Sequence, residues 1–315
     1  MRTDELCLVL LSTIAISISA SLPAQAQRAR VFVSVSGDDA NPCTAGSPCK
    51  TFQHAHNVVQ AGGEISVLDT GGYGTLRINK AISIVAVGVQ ASIAIPSVSD
   101  GIVINAGSTD DVSLRGLTLD GTGVGGVGIR FTNGQSLTVQ DCVVRNMAST
   151  GLQFDSNATT LQTLAVSNSH FYDNGSSGIR VGTSGSGPVL ASIDRTGLFG
   201  NAIAGLDVNG SSGTGTLTVA VTDSVAANNN ESGFRVASSN NSVSSLSLTR
   251  SQALSNGTGV EAQGIHATLS LAQSMVTGNG SGFATGSGVI ETYGDNYLQA
   301  ANGPNHGTLT PATKQ

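Results

Sequence analysis

The residues with the most evident capacity for chemistry are charged side chains that recur once per repeat along the middle of the chain. They occupy the third position of a Gly-apolar-x-apolar element, and in sequence order the line reads Arg130, Gln153, Arg180, Asp207, Arg235, Glu261 and Ala284. From Arg180 to Glu261 the sign of the charge alternates at every step. If successive repeats stack as neighbouring strands, we expect these side chains to form one line on the outside of the protein.

Asp207 and Glu261 are the candidate catalytic pair in this line. Two strands apart, their backbones would be separated by about 9–10 Å, which is near the upper carboxyl separation of inverting glycosidases. Arg235 would lie between them, however, and a cationic neighbour lowers the pKa of a carboxyl group, whereas a general acid needs a raised pKa. We therefore assign no catalytic residue and keep the two carboxylates as weak candidates.

Binding of a ligand is the other role that the line could have. The candidate binding residues are Arg130, Arg180, Asp207, Arg235 and Glu261 from the line, together with Tyr172. Opposite charges on adjacent strands also stabilise a sheet by a few tenths of a kcal/mol, so a solenoid whose charges only stabilise it would show the same alternation. The absence of Trp and an aromatic content of 4% argue against a sugar cleft rich in aromatic rings.

The elements that must position these residues repeat with a steady period. The glycines that begin each copy are Gly101, Gly128, Gly151, Gly178, Gly205, Gly233, Gly259 and Gly282, separated by 27, 23, 27, 27, 28, 26 and 23 residues. Apolar and polar residues alternate within each copy, which is typical of a half-buried strand. A period of this length predicts a solenoid in which each coil stacks on the next.

A second element lies between these glycines and contains a small residue followed five positions later by Asn. The Asn residues are Asn174, Asn201, Asn229, Asn256 and Asn279, with a shorter first copy that ends at Asn146. We expect the Asn residues to occupy a tight turn at positive φ and to form a hydrogen-bonded ladder. Cys142 stands where later copies have Ser or Thr, which predicts a small inward residue without a catalytic role.

The composition excludes several classes of protein. The chain has 315 residues, 41 of them Gly, with 11% charged residues and a net charge of −6. An apolar content of 39% with low net charge does not fit disorder, and the abundance of poor helix formers does not fit a helical bundle. With 14 Lys and Arg residues there is no basic stripe for nucleic acid.

The first 26 residues are predicted to be a signal peptide. An apolar run from Leu6 to Leu22 is followed by Pro23-Ala24-Gln25-Ala26, an A-x-A cleavage signal, so we expect cleavage after Ala26. A retained anchor helix is the alternative, because Asp4 and Glu5 lower the usual positive charge of the leading region. Cleavage would leave a mature chain without a membrane span, secreted, periplasmic or at the cell surface.

Export favours a disulfide between Cys43 and Cys49, which bracket a short loop. A metal site is the alternative for two closely spaced thiols, but no cluster of further ligands lies near them in the sequence. We expect no cofactor and no metal.

The repeat resembles the right-handed parallel β-helix proteins of the pectate-lyase-like superfamily, from about Val31 to about Tyr297. The resemblance implies an all-β, single-stranded parallel β-helix of about nine coils. It divides the chain into a strand, disulfide loop and cap helix over residues 27–63, repeats over residues 64–290, and a C-terminal cap and tail over residues 291–315. The lyases of this superfamily use clustered acidic calcium ligands beside a basic residue, and the glycosidases use paired Asp motifs and a Gly-His-Gly. Neither set maps onto this sequence.

The sequence therefore favours an exported, monomeric, non-catalytic protein that binds an extracellular or cell-envelope polysaccharide or another surface partner. Two alternatives stay open. One is a polysaccharide lyase or glycoside hydrolase that acts in a groove along the solenoid, which rests on fold analogy alone. The other is a structural component of an envelope or matrix.

Overall fold

A computed structural model describes residues 28–239, 241–300 and 303–313. The predicted signal peptide lies outside these residues. Within them the chain winds through about ten turns of a parallel β-helix, which confirms the predicted fold class and compares with about nine coils expected. Three long sheets run the length of the solenoid, and neighbouring strands in each of them pair in parallel.

The three sheets are named by their strand number in the described residues. The twelve-stranded sheet consists of Arg28–Val33, Val59–Val67, Ile82–Val85, Asp111–Arg115, Ser136–Gln140, Gln162–Ser167, Val189–Asp194, Leu217–Thr222, Ser244–Thr249, Ala267–Ala272, Val289–Thr292 and Leu309–Pro311. The ten-stranded sheet consists of Gly71–Gly72, Ala91–Ala94, Leu117–Asp120, Val143–Arg145, His170–Tyr172, Gly197–Phe199, Val225–Ala227, Gln252–Leu254, Met275–Asn279 and Tyr297–Ala300. The nine-stranded sheet consists of Leu76–Ile78, Ile102–Asn105, Ile129–Asn133, Leu152–Ser156, Ile179–Thr183, Ala204–Gly210, Ser232–Ser238, Thr258–Gln263 and Ser281–Gly286.

A short helix, Phe52–Val58, packs near the N-terminal end of the solenoid, within the segment predicted to form a cap. Thr51 caps it by accepting a hydrogen bond from the backbone N–H of His54 at 3.2 Å. Phe52 is fully buried, and its ring lies 5.0 Å from that of Tyr73. The disulfide between Cys43 and Cys49 is present, as predicted.

The predicted Asn ladder runs through the interior from Asn174 to Asn279. From Asn174 to Asn256, each side-chain amide donates to the side-chain oxygen of the Asn in the next coil, at 2.9–3.0 Å. The same oxygens also accept backbone N–H groups of the preceding coil. The amides thereby satisfy backbone donors at a buried corner, where an unpaired N–H group would be costly.

The expectation that these Asn residues adopt positive φ is wrong. The positive φ lies one residue earlier, at Asp173, Gly200, Asn228, Ser255 and Gly278. Asn146 belongs to that turn position, since its φ is 54°. Met147 takes the corresponding ladder position, and its backbone N–H donates to Asn174 at 3.2 Å. The first copy therefore has the same length as the others and lacks only the ladder amide.

The hydroxyl column is inward, as predicted. Hydroxyls such as those of Ser224 and Ser251 accept a backbone N–H from the preceding coil and donate to the carbonyl two residues earlier in their own coil. Cys142 is fully buried in this column, and its backbone N–H donates to Ser169 Oγ at 3.1 Å. The residue just before each of these positions has positive φ and is exposed in coils such as those of Asp223 and Arg250.

Replacing Asn229 by Ala is expected to destabilise the solenoid by about 3 kcal/mol, because it leaves buried donors and acceptors of two neighbouring coils unpaired. Asn229 takes part in hydrogen bonds with Asn201, Asn256 and the carbonyl of Leu198. The matched control is Asn230→Ala at the exposed neighbouring position. Urea unfolding followed by circular dichroism measures both variants, and equal losses in the two would contradict a specific role of the ladder.

The thiol of Cys142 is expected to be unreactive in the folded protein. Burial raises its pKa to about 11, so that it stays protonated at pH 8. In the protein that begins at residue 27 and so lacks Cys7, a thiol reagent that absorbs on reaction should report no modification at pH 8 without denaturant and one thiol per chain in guanidinium, with a Cys142→Ser variant as the blank. Fast modification of the folded chain would overturn the assignment of Cys142 as an inert member of the hydroxyl column.

Candidate functional site on the outer faces of the solenoid

The register of the nine-stranded sheet brings the predicted line of charged residues together. Consecutive strand pairs align Arg130 with Gln153, Gln153 with Arg180, Arg180 with Asp207, Asp207 with Arg235 and Arg235 with Glu261. The line also extends towards the N-terminus through Val103 to Arg77. Arg77 was not among the predicted site residues, because its strand lacks the leading Gly, although the apolar-Arg-apolar pattern is present at Leu76–Ile78.

Each inner arginine of the line is held by carboxylates on its own face. Arg130 Nε lies 2.6 Å from Asp100, an acidic residue of a preceding loop that the sequence pattern did not single out. Arg180 lies 3.2 Å from Asp207 and 3.8 Å from Asp155. Arg235 lies 3.9 Å from Asp207 and 3.8 Å from Glu261. The guanidinium groups keep part of their surface exposed, with side-chain exposures of 32%, 34% and 23% from Arg130 to Arg235.

Asp207 differs from the expectation drawn from its cationic neighbours. Its side chain is only 5% exposed, since it lies between the longer side chains of Arg180 and Arg235. Burial raises the pKa of Asp207, and this effect exceeds the lowering by the two arginines. The predicted lowering of its pKa is therefore wrong. One carboxylate oxygen, Oδ1, accepts no hydrogen bond from the described residues.

Glu261, the second carboxylate of the candidate pair, is occupied by its own surroundings. Ser232 Oγ donates to Oε2 at 2.5 Å, and Gln263 Nε2 donates to Oε1 at 2.5 Å. Its side chain is 17% exposed. The two carboxylates are thus buried or hydrogen-bonded, an arrangement that suits positioning of the arginines better than proton transfer to a substrate.

A small recess beside the line is created by glycine. Gly182 follows Arg180 by two residues on the same face, and a Cβ there would come within 2.5 Å of the Asp155 carboxylate. The recess has a volume of about 110 Å³ and is lined by polar groups, including Asn209, Ser184 and the Arg180 side chain. It adds hydrogen-bond donors and acceptors to the charged line.

Tyr172, the remaining predicted binding residue, is not part of this line. It lies on the ten-stranded sheet, where its hydroxyl contacts Arg145 Nη1 at 3.0 Å. Arg145 in turn forms an ion pair with Asp120 at 2.9 Å. Phe199 occupies the same outward line one strand further on and is half-buried. The sequence pattern did not single out Phe199 as an exposed aromatic residue.

Among the described residues, the group that has the composition of a metal site is Cys43, Cys49 and His54. The two sulfur atoms are joined in the disulfide, so they are not thiolate ligands. No helix of the described residues is long and apolar enough to cross a membrane.

Comparison with known proteins places the fold. The model of a family described as "Right handed beta helix region" matches residues 100–281. The crystal structure of pectate lyase Pel9A is similar at a TM-score of 0.58 and 18% identity, covering 90% of this chain and 78% of that one. The A-module of mannuronan C-5 epimerase AlgE4 from Azotobacter vinelandii has a TM-score of 0.43 at 16% identity, covering 73% and 72%. A rhamnogalacturonan lyase has a TM-score of 0.44 at 12% identity, covering 77% and 82%. A search of curated proteins found no match.

The pKa values of Asp207 and Asp223 are shifted in opposite directions, so a variant of each residue serves as the control for the other. A raised pKa means that the stabilising contribution of Asp207 is present at low pH and is lost as pH rises through its folded pKa. Asp223 has a pKa lowered by its hydrogen bond to Arg250, so its contribution is present at neutral pH and lost on acidification. As the pH rises from 4 to 7, the free energy of unfolding of Asp207→Asn should therefore increase relative to that of the unmodified protein. That of Asp223→Asn should decrease relative to it.

Urea unfolding of both variants and the unmodified protein at the two pH values measures these differences. A shift of the same sign in both variants would contradict the burial-driven pKa of Asp207.

Proposed function

The chain belongs to the right-handed β-helix family, and from that premise we propose that it is a non-catalytic protein that binds a linear anionic polysaccharide along the outer face of its nine-stranded sheet. The protein acts outside the cytoplasm, after export directed by residues 1–26. Its disulfide between Cys43 and Cys49 supports an oxidising compartment. The polysaccharide belongs to the extracellular or cell-envelope space.

The observation that carries this proposal is the spacing of arginines on the outer face. Arg77, Arg130, Arg180 and Arg235 occupy every second strand of the sheet. At about 4.8 Å per strand, the backbone positions of these arginines recur about every 9–10 Å along the sheet. A guanidinium group is well suited to a carboxylate or sulfate because it can donate two parallel hydrogen bonds. A chain with acidic groups at regular intervals can bind several of them at once.

The same face argues against turnover. The carboxylates that could act as acid and base are shielded from a bound chain, since Asp207 is nearly inaccessible and both Glu261 oxygens accept hydrogen bonds. They form ion pairs with Arg180 and Arg235 instead, at 3.2 Å and 3.8 Å. A carbohydrate-active enzyme is the second candidate, and the raised pKa of the buried Asp207 favours it, since perturbed carboxyl groups concentrate at catalytic sites.

We expect the double variant Arg77→Gln/Arg130→Gln to bind polygalacturonate at least tenfold more weakly than the unmodified protein. Each lost charge-assisted hydrogen bond weakens binding by about 1.5 kcal/mol or more. We choose Arg77 and Arg130 for substitution because, unlike Arg180 and Arg235, they do not form ion pairs with the buried Asp207. The matched control is Arg115→Gln/Arg250→Gln, which removes the same charge at exposed ion pairs elsewhere on the solenoid.

Isothermal titration with polygalacturonate and with its fully methyl-esterified form gives the affinities, and chromatography of the incubated polymer detects products. Equal weakening in both double variants would mean general charge attraction and would contradict the proposal. Cleavage or epimerisation of the polymer that is abolished by Asp207→Asn would replace the binding function by the enzymatic one.

A further inference from the structure

A second surface with the character of a sugar site lies on the ten-stranded sheet. Tyr172 and Phe199 are aligned on neighbouring strands of its outer face, and both rings are partly exposed. An aromatic ring that is exposed and held flat offers the C–H face of a sugar an apolar surface, while nearby polar groups bind its hydroxyls.

Gly197 allows the Phe199 ring to lie across the sheet. A Cβ at Gly197 would come within 2.3 Å of the Phe199 ring and 2.6 Å of His170 Nδ1. The rings of Phe199 and His170 therefore cover Gly197, at a position where other coils carry a larger outward side chain. They are stacked, with centroids 6.3 Å apart and an interplanar angle of 25°. The glycine thus makes room for the stacked rings of His170 and Phe199.

Tyr172 is fixed by a chain of polar contacts. Arg145 donates to its hydroxyl at 3.0 Å, and the Arg145 guanidinium carbon lies 5.9 Å from the centre of the tyrosine ring. Asp120 holds Arg145 from the other side at 2.9 Å. A ring held in this way loses little further conformational freedom when a ligand binds.

A groove begins one residue after Tyr172 and Phe199 in the sequence, at Asp173 and Gly200. It has a volume of about 820 Å³ and follows the ends of four neighbouring strands, with a length of about 14 Å at the strand spacing of a sheet. Its polar lining includes Asp120, Asn146 and Asp173. The Asp173 carboxylate is exposed and accepts no hydrogen bond from the described residues, and it lies where a Cβ at Gly200 would be.

We propose that this groove, with the aligned rings of Tyr172 and Phe199 beside it, binds a neutral oligosaccharide. The rings contact the apolar face of a pyranose, and the Asp173 carboxylate accepts hydrogen bonds from its hydroxyls. The Asp173 carboxylate, which forms no ion pair among the described residues, disfavours an acidic sugar, so this site selects against the ligand of the arginine line.

This inference rests on the proposed function only in that the ligand is a carbohydrate. The arginine line and the groove lie on different sheets and use different side chains. Failure of either site in solution therefore leaves the other testable. If the chain binds acidic polymers but no neutral ones, the proposed function holds and the second site is overturned.

The experiment titrates the full chain with cellohexaose, xylohexaose, mannohexaose, laminarihexaose and maltohexaose by calorimetry. We expect at least one of them to bind, with Phe199→Ala weakening its affinity tenfold or more and Asp173→Asn weakening it severalfold. Asp173 has a φ of 55°, which Asn tolerates well, so this variant tests the carboxylate without straining the turn. The double variant Arg77→Gln/Arg130→Gln should bind the same sugar unchanged.

The matched control is Leu254→Ala, an outward apolar residue of the same line two strands beyond Phe199 and outside the groove. The site is overturned if none of the five hexasaccharides binds, if Phe199→Ala binds as the unmodified protein does, or if Leu254→Ala weakens binding equally. Circular dichroism of each variant confirms that the solenoid is folded before titration.

Discussion

From Cys142 onwards the structure depends on one constraint, which is that each coil must satisfy the backbone N–H groups of its buried corners with side chains of the next coil. Two columns perform this task. The Asn ladder does so at one corner, and the hydroxyl column from Ser169 to Ser274 does so at another. Because a slipped register would leave these donors unpaired in a dry interior, the columns hold coils of 23 to 28 residues in alignment. The alignment of outward side chains follows from that of the inward ones.

The sequence was sufficient to predict whatever repeats in residue type. The solenoid, its parallel stacking, the inward position of Cys142, the Asn ladder and the line from Arg130 to Glu261 all depend on a residue type recurring at one place in the coil. The positive-φ turn before the ladder could not be identified in this way, because its occupants Asp173, Gly200 and Ser255 share no side-chain chemistry. Backbone geometry is conserved from coil to coil there without a common residue to reveal it.

The candidate sites were less predictable, because their properties come from contacts between coils. The burial of Asp207 requires the two long side chains that flank it, and alternation of sign alone predicts only the ion pairs. Asp100 reaches Arg130 from a loop outside the repeat pattern. The coil that carries Phe199 has a glycine at position 197, where other coils have larger outward residues such as His170 or Gln252. A departure from the repeat is therefore the signal that could have indicated the stacked rings of His170 and Phe199.

Inward residues maintain the packing and outward residues form the surface, which explains how one repeat can present two chemically different faces on the nine-stranded and ten-stranded sheets. Inward positions are restricted by packing, with Phe131 and Phe154 stacked at 4.2 Å between centroids, so they cannot vary without loss of stability. Outward positions are restricted only by their neighbours one strand away. Arginines therefore alternate with acids from Arg180 to Glu261 on the nine-stranded sheet, whereas aromatic rings lie beside Arg145 on the ten-stranded sheet. A packed core separates the two faces, and each is tuned by its own cross-strand contacts. The outward residues of one face can therefore change without disturbing those of the other.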